Sequence, residues 1–327
     1  MKTIVPGVRA WALFVAFSLF SLFAKSQSIS TGNGKFEVGI GLGPMFFLGD
    51  LGGNYGKGKT FLKDVNLPLT KLSKGLFANF YPTEWIGVRV AVNHSNVEGY
   101  DSVIRSKGSH EESRKLRNLQ FKSSIFEAYT ALEIYPTVFL EQYDELNGKL
   151  RPYGLIGIGM FRFNPKGEYI APNGTRTWVD LQPLRLEGQG MMEYPDRKPY
   201  KLTQMHVPIG FGAKYYFGGN KYIGMEILHR TTFTDYIDDV STNYIDANLF
   251  RNYLTPAQAT MARQMHFREN LTSAATRGST PSLNEQRGNP KQNDAFFSST
   301  VRFGWRLADP NSPASRASRM MRCPTFY

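Results

Sequence analysis

Eight segments of the chain alternate apolar residues with polar or small ones at a period of two, the pattern of strands with two unlike faces. "KFEVGIGLGPMFF" sets Phe36, Val38, Ile40 and Leu42 against Glu37, Gly39, Gly41 and Gly43. "KLSKGLFANFY" follows and ends before Pro82. "WIGVRVAVNHS" opposes Ile86, Val88, Val90 and Val92 to Gly87, Arg89, Ala91 and Asn93. "FKSSIFEAYTALEIY" opposes Phe126, Ala128, Leu132 and Ile134 to Glu127, Tyr129 and Glu133. "RPYGLIGIGMFRF" is glycine-rich and apolar on both faces, so its orientation stays open. The sixth and seventh segments lie within Gln204–Arg230 and are joined by Gly218-Gly219-Asn220, which reads as a tight hairpin. The eighth, "AFFSSTVRFGWRL", sets Phe297, Val301, Phe303, Trp305 and Leu307 against Ser298, Thr300, Arg302, Gly304 and Arg306. Each segment has about the ~9–11 residues that a tilted strand needs to cross a bilayer.

The connections carry a second, independent signal. Residues 82–84 and 218–220 are short links and 136–149 a moderate one, whereas 49–71, 96–120, 164–202 and 236–294 are long. Short and long alternate, as the periplasmic turns and external loops of an outer-membrane barrel do. The expected fold is therefore all-β: an eight-stranded antiparallel transmembrane barrel with long external loops, one of them partly helical. An even strand count places both termini in the periplasm.

In that arrangement the apolar set faces lipid and the small and charged set faces inward. A barrel of this size has an interior that side chains fill. Glu37, Arg89, Glu127, Glu133, Lys214, Glu226, Arg230, Arg302 and Arg306 are the candidates to fill it. Both signs are present, so the charges can pair as a plug. A pore or a proton path through the same residues is the competing reading.

Composition fits the all-β reading. Of 327 residues 14% are aromatic, glycine occurs 31 times, and 41% are hydrophobic. Lys2 and Arg9 precede the apolar run Trp11–Phe23 and the small residues around Lys25, a secretory signal with expected cleavage near Ser26–Gln27. A retained anchor is the alternative. The expected organisation is a signal at 1–26, a barrel with its loops at 27–307 and a flexible tail at 308–327. The only cysteine, Cys323, lies near the C-terminus, so neither a lipid anchor at a mature N-terminal cysteine nor an internal disulfide is expected. The formal net charge is +12, and about +9 without Lys2, Arg9 and Lys25. For an exported chain this basicity points to lipopolysaccharide phosphates or an acidic partner rather than to nucleic acid.

The loops hold the remaining candidates. Asp235, Asp238 and Asp239, with Asp246 nearby, offer oxygen ligands of the kind calcium takes, at a spacing that matches no EF-hand; turn-forming and capping roles compete. Trp178, Leu181 and Leu184 are placed to tuck onto the barrel mouth. "TPAQATMARQMHFRENL" reads as a helix capped by Thr255, with Pro256 at its first position and Met261 and Met265 on one face. The tail carries Arg316, Arg319 and Arg322 against one acid, Asp309, and is either a basic docking peptide or a disordered overhang.

"TFTDYIDDVSTNYID", "LTPAQA" and "RGNPKQND", in that order before an aromatic last strand, resemble the PorG-like outer-membrane barrels associated with type IX secretion. "GDLGG", "GMFRFNPKGEY" and "LQPLRLEGQG" fit the same family, so the resemblance covers nearly the whole mature chain. It implies an integral eight-strand barrel without catalytic residues or cofactor, tying a periplasmic ring of a PorK-like lipoprotein and a PorN-like protein to the outer membrane. Ring contacts would then fall on the short turns, the 136–149 link and the tail. Two other functions compete: a passive barrel, either adhesin or narrow channel, and a lipid-modifying or proteolytic enzyme. The five histidines, His94, His110, His206, His229 and His266, come with neither a Gly-x-Ser-x-Gly elbow nor a His-Glu-x-x-His pair.

Overall fold

The alternation closes into a ring. The computed structural model describes residues 36–51, 70–83, 85–103, 115, 117–139, 149–217, 220–268 and 281–307. Eight long strands form the wall: β1 (Phe36–Leu48), β2 (Lys71–Phe80), β3 (Ile86–Tyr100), β4 (Gln120–Ile134), β5 (Leu150–Arg162), β8 (Thr203–Phe217), β9 (Lys221–Thr232) and β10 (Ala295–Leu307). Two short strands, β6 (Lys166–Ile170) and β7 (Arg176–Asp180), form an additional hairpin in the connection between β5 and β8. The sheet order is β3-β2-β1-β10-β9-β8-β5-β4-β6-β7, and β3 also pairs with β4, which closes the eight long strands on themselves. That closing ladder runs from Ile86↔Ile134 to Tyr100↔Gln120. All eight expected strands are present and antiparallel. The chain is a multi-pass β-barrel of the outer-membrane type, the closed form in which every backbone group of a spanning sheet is paired within the wall.

Which face is wet is settled residue by residue. On β1, Phe36, Val38, Ile40 and Leu42 are exposed, whereas Glu37 is buried. On β8, Met205, Ile209, Phe211, Tyr215 and Phe217 point out while His206, Lys214 and Tyr216 are buried. The open case, β5, resolves with Ile156, Ile158 and Met160 outward and Tyr153, Leu155 and Phe161 inward. An apolar belt this continuous is stable against acyl chains and costly against water.

Toward the end that carries the long connections, the pattern inverts. On β3, Asn96 and Glu98 face out while Val97 is buried. On β4, Lys122 and Ser124 face out while Phe121 and Ile125 are buried. A wall that is greasy outside and ionic inside becomes polar outside and greasy inside. The strands therefore continue beyond the bilayer and enclose an ordinary water-facing core. That core gathers Met45, Val97, Phe121, Phe161 and Phe296 from the strands with Leu181, Leu184, Leu186, Ile237, Val240, Phe250 and Met265 from the connections.

Two helices belong to this outer region, α1 (Phe250–Tyr253) and α2 (Pro256–His266). Thr255 and Gln258 form a reciprocal capping box at the start of α2, with Pro256 in its first turn, as the sequence indicates. Its buried face is Ala259, Ala262, Met265 and His266. The β6–β7 hairpin is absent from the sequence reading, which treats 164–202 as turn-rich loop. Its turn is held by Ala171 N–H donating to Thr175 O at 2.9 Å, with Gly174 at φ 81°, a left-handed position suited to glycine.

Candidate functional site

The inward side chains of the eight strands meet in three tiers. Nearest the short turns, Lys214 Nζ lies 3.0 Å from Glu37 Oε2 and 3.1 Å from Glu133 Oε2. The same ammonium is 2.6 Å from Tyr81 Oη and 2.8 Å from Tyr135 Oη. Tyr81 donates to Glu37 at 2.6 Å, Tyr216 donates to Glu37 at 2.9 Å, and Arg306 Nε stands 3.9 Å from it. In the middle tier Arg302 Nη1 is 2.8 Å from both oxygens of Glu226, and Tyr153 donates to Glu226 at 2.6 Å. Arg89 joins this tier to the first, because it pairs with Glu226 at 2.5 Å and also with Glu133. In the third tier Arg230 grips Glu127 with two bonds, 2.6 Å and 3.2 Å, and Asn93 donates to Glu127 at 2.5 Å. His206 Nε2 lies 3.7 Å from Glu127, enclosed by Tyr129, Phe161 and Phe296.

All nine lumen residues singled out in the sequence thus stand in this network. Strand parity already puts Asn93 and Tyr216 on the inward set, but their polar groups, the phenols of Tyr81, Tyr135 and Tyr153 and the amide of Asn79 are not among the nine lumen candidates. The available signal is parity: Tyr135 shares the face of Glu133, Tyr153 that of Arg151, and Tyr216 that of Lys214. Apolar rings pack among the charges. The Arg302 guanidinium sits 3.6 Å from the Phe77 ring centre, and a Cβ on Gly39 would fall 2.4 Å from Phe77 Cζ. Glycine at that position is what lets the Phe77 ring lie there.

Above the bilayer the long connections form a bonded cap. Glu187 is fully buried and accepts from Ser241 N–H at 3.0 Å, Thr242 N–H at 2.9 Å and Arg287 Nη1 at 2.8 Å. Arg117 binds Asp101 at 2.7 and 2.9 Å and Asp50 O at 2.8 Å, and also bonds Arg287 O. Gln264 pairs with the backbone of Ile170 in both directions, at 2.7 and 3.0 Å, docking α2 on the hairpin. Leu181 and Leu184 are buried in the cap, whereas Trp178 is half-exposed and lies under Lys122 Nζ at 3.8 Å.

The loop aspartates do not converge as a cation site. Among the described residues no group of three or more His, Cys, Asp or Glu side chains is arranged to hold a metal ion. Asp238 instead accepts from Val240 N–H at 3.0 Å and Leu51 N–H at 3.1 Å. Asp239 accepts from Tyr200 Oη at 2.6 Å, and exposed Asp246 accepts from Asn248 N–H at 2.9 Å. The Val240 and Asn248 bonds are local turn bonds and the Leu51 and Tyr200 bonds are long-range; together they hold Asp238 and Asp239 in a water-poor cap. Burial pushes Asp235 up to about 8, with Asp50 and Glu187 adding to the rise. Burial pushes Asp239 up to about 7 against the pull of Arg287. Asp238 and Asp294 are both raised, by burial and by their acidic neighbours. His266 is driven the other way, down to about 3, by burial and Arg287.

His94 Nε2 and Ser124 Oγ are 3.0 Å apart on the outer wall, and among the described residues no carboxylate orients that imidazole. The signal segment, the tail with Arg316, Arg319, Arg322 and Cys323, and His110 lie outside the described residues.

No family model matches the chain, and no curated protein matches it. Solved outer-membrane barrels are similar in fold at very low identity. Neisserial surface protein A is 8% identical over 85% of this chain and 100% of its own, with a TM-score of 0.35. Outer membrane protein OprG from Pseudomonas aeruginosa is 10% identical over 84% and 97%, also at 0.35. Ail, the attachment invasion locus protein of Yersinia pestis, is 9% identical over 84% and 100%, at 0.32. Likenesses at this level carry no functional argument.

Proposed function

We propose that this protein is a non-catalytic integral component of the type IX secretion machinery, anchoring a periplasmic ring to the outer membrane. The observation that carries the scaffold part of this reading is the lumen. Its charges are paired across the bore, and Arg89 and Lys214 are fully buried. Such an interior supports a rigid anchor better than a solute channel. The machinery itself is proposed on the sequence resemblance. Three of the stretches that carry it meet in one place: Leu184, Glu187, Val240 and Arg287 all belong to the outer cap. They would keep a common cap folded, while PorK-like and PorN-like partners would dock on the opposite face, through the short turns, the 136–149 link and the tail. Site-specific photocrosslinking from positions 137 and 149 in cells tests this. Crosslinks to the ring proteins, together with loss of cargo export when the gene is deleted, are expected; export that continues unchanged without the gene would overturn the reading.

The cap favours a second reading. An ordered, water-facing structure on the outer side suits surface recognition, the adhesin form of a passive barrel. It predicts that replacing the cap abolishes function while the periplasmic turns tolerate change.

A further inference from the structure

The outer wall is chemically lopsided at the cap-side edge of the apolar belt, which on β2 reaches as far as Leu72. Lys74, His94, Phe126, Arg162 and Thr203 follow one another in register across β2, β3, β4, β5 and β8. All five point outward; Lys74, Arg162 and Thr203 are exposed, as is Phe126 at 54%. Two residues further into the belt, the same strands present Leu76, Val92, Ala128, Met160 and Met205 in register. Two cations flanking an imidazole and an aromatic ring therefore border a row of apolar side chains.

The ion pairs sharpen the asymmetry. The acids nearby on this wall and its hairpin are already matched: Glu98 with Lys71 at 2.7 Å, Asp180 with Lys166 at 3.2 Å, and Glu168 with Arg176 at 3.4 Å. Lys122 rests on Trp178. Among the described residues Lys74 and Arg162 have no anionic partner. In the other direction Lys74 pairs with Leu42 on β1, which carries no charge, and the outward residues toward the cap-side ends of β9 and β10, Thr231 and Ser299, carry none either. Lys74 and Arg162 stand three strands apart, about 14 Å along the wall at ~4.8 Å per strand. That is a span for a head group with more than one phosphate, with Arg162 able to hold one by paired N–H bonds.

We propose that the β2–β5 wall binds a phosphorylated lipid of the outer leaflet, with Lys74 and Arg162 on its phosphates and the Leu76–Met205 row against its acyl chains. Long cationic side chains at this level can reach up to head groups while their stems stay in the apolar belt.

Native mass spectrometry of the purified, folded protein tests this with two probes that share acyl chains: bis-phosphorylated lipid A and lipid A stripped of its phosphates. The wild-type protein should retain the phosphorylated form over the stripped form by roughly tenfold or more, the size of one charge-assisted hydrogen bond. Lys74→Gln with Arg162→Gln should remove that preference, Lys74→Arg with Arg162→Lys should keep it, and Lys201→Gln with Lys291→Gln should leave it unchanged. Heat-modified gel mobility verifies that every variant is a folded barrel. Equal retention of the two probes, an unchanged preference in the Gln variant, or full displacement of the lipid by millimolar inorganic phosphate would overturn the proposal.

Discussion

Arg89 on β3 and Glu226 on β9 stand on opposite strands of the eight-membered ring, yet their charged atoms are 2.5 Å apart. Three strands lie between them in either direction round the wall. A bond of this length puts charged side chains in the middle of the bore, where a water-filled path would have to run. The same carboxylate accepts from Arg302 and Tyr153, so the contact is one node of a plug.

Removing one partner from a buried network strands the other charge. Glu226→Gln should cost about 3–5 kcal/mol, because Arg302 and Arg89 then share an amide in place of a carboxylate. Urea unfolding of the barrel in lipid vesicles measures this. A change below ~1 kcal/mol would mean that water already solvates the site.

The lipid-facing belt makes a depth-dependent prediction. Val90 is 55% exposed and lies between Ala78 and Thr130 in the ladder. Val90→Arg should destabilise insertion by about 2–4 kcal/mol, whereas Ser124→Arg, outward but above the belt, should be nearly neutral. Folding titrations in vesicles separate the two.

Glu187 ties Ser241, Thr242 and Arg287 together inside the cap. Glu187→Ala should loosen the cap by about 3–5 kcal/mol and leave the membrane ring intact. Limited trypsin digestion should then cut at Arg197 and Arg287 while heat-modifiable mobility is retained. A variant as protease-resistant as the wild type would contradict this.

The cap should also respond to pH. Asp235, at about 8, and Asp239, at about 7, bind protons in the folded cap that the unfolded chain, near 3.8, has released. Folded-state proton uptake in that window means stability falls as pH rises from about 4 to 8. His266 works oppositely: held down to about 3 from 6.5, it withdraws stability as pH drops below its unfolded value. Above about pH 7 the two aspartates dominate over His266, which is then mostly neutral in both states, so amide exchange of residues 235–245 should quicken with pH beyond the intrinsic base-catalysed rate. Exchange that follows the intrinsic rate alone would refute the assignment.

Much of this is legible in the chain because a strand has a period of two. Glu37, Glu133 and Lys214 each lie opposite apolar neighbours, so parity alone sends them inward. Which of them meet is set by the stagger of the ring, and no local pattern encodes it: Lys214 reaches Glu37 from 177 residues away. The inversion at Asn96–Val97–Glu98 keeps the period while exchanging the faces, so a reading that ends each strand with its apolar run stops too early. The hairpin Lys166–Asp180 is obscured by Pro172, Asn173 and Gly174, which read as loop but build its turn. The aspartates of 235–239 look like ligands in sequence because their competitors, the N–H groups of Leu51, Val240 and the phenol of Tyr200, are brought in from elsewhere or by the turn itself.

The most direct test of a barrel locked by ion pairs is single-channel recording of the purified protein in planar lipid bilayers. Inserted barrel should give no steady conductance steps across the physiological voltage range. Reproducible ohmic steps from the wild-type protein would mean that the bore is open and that the paired charges line a pore.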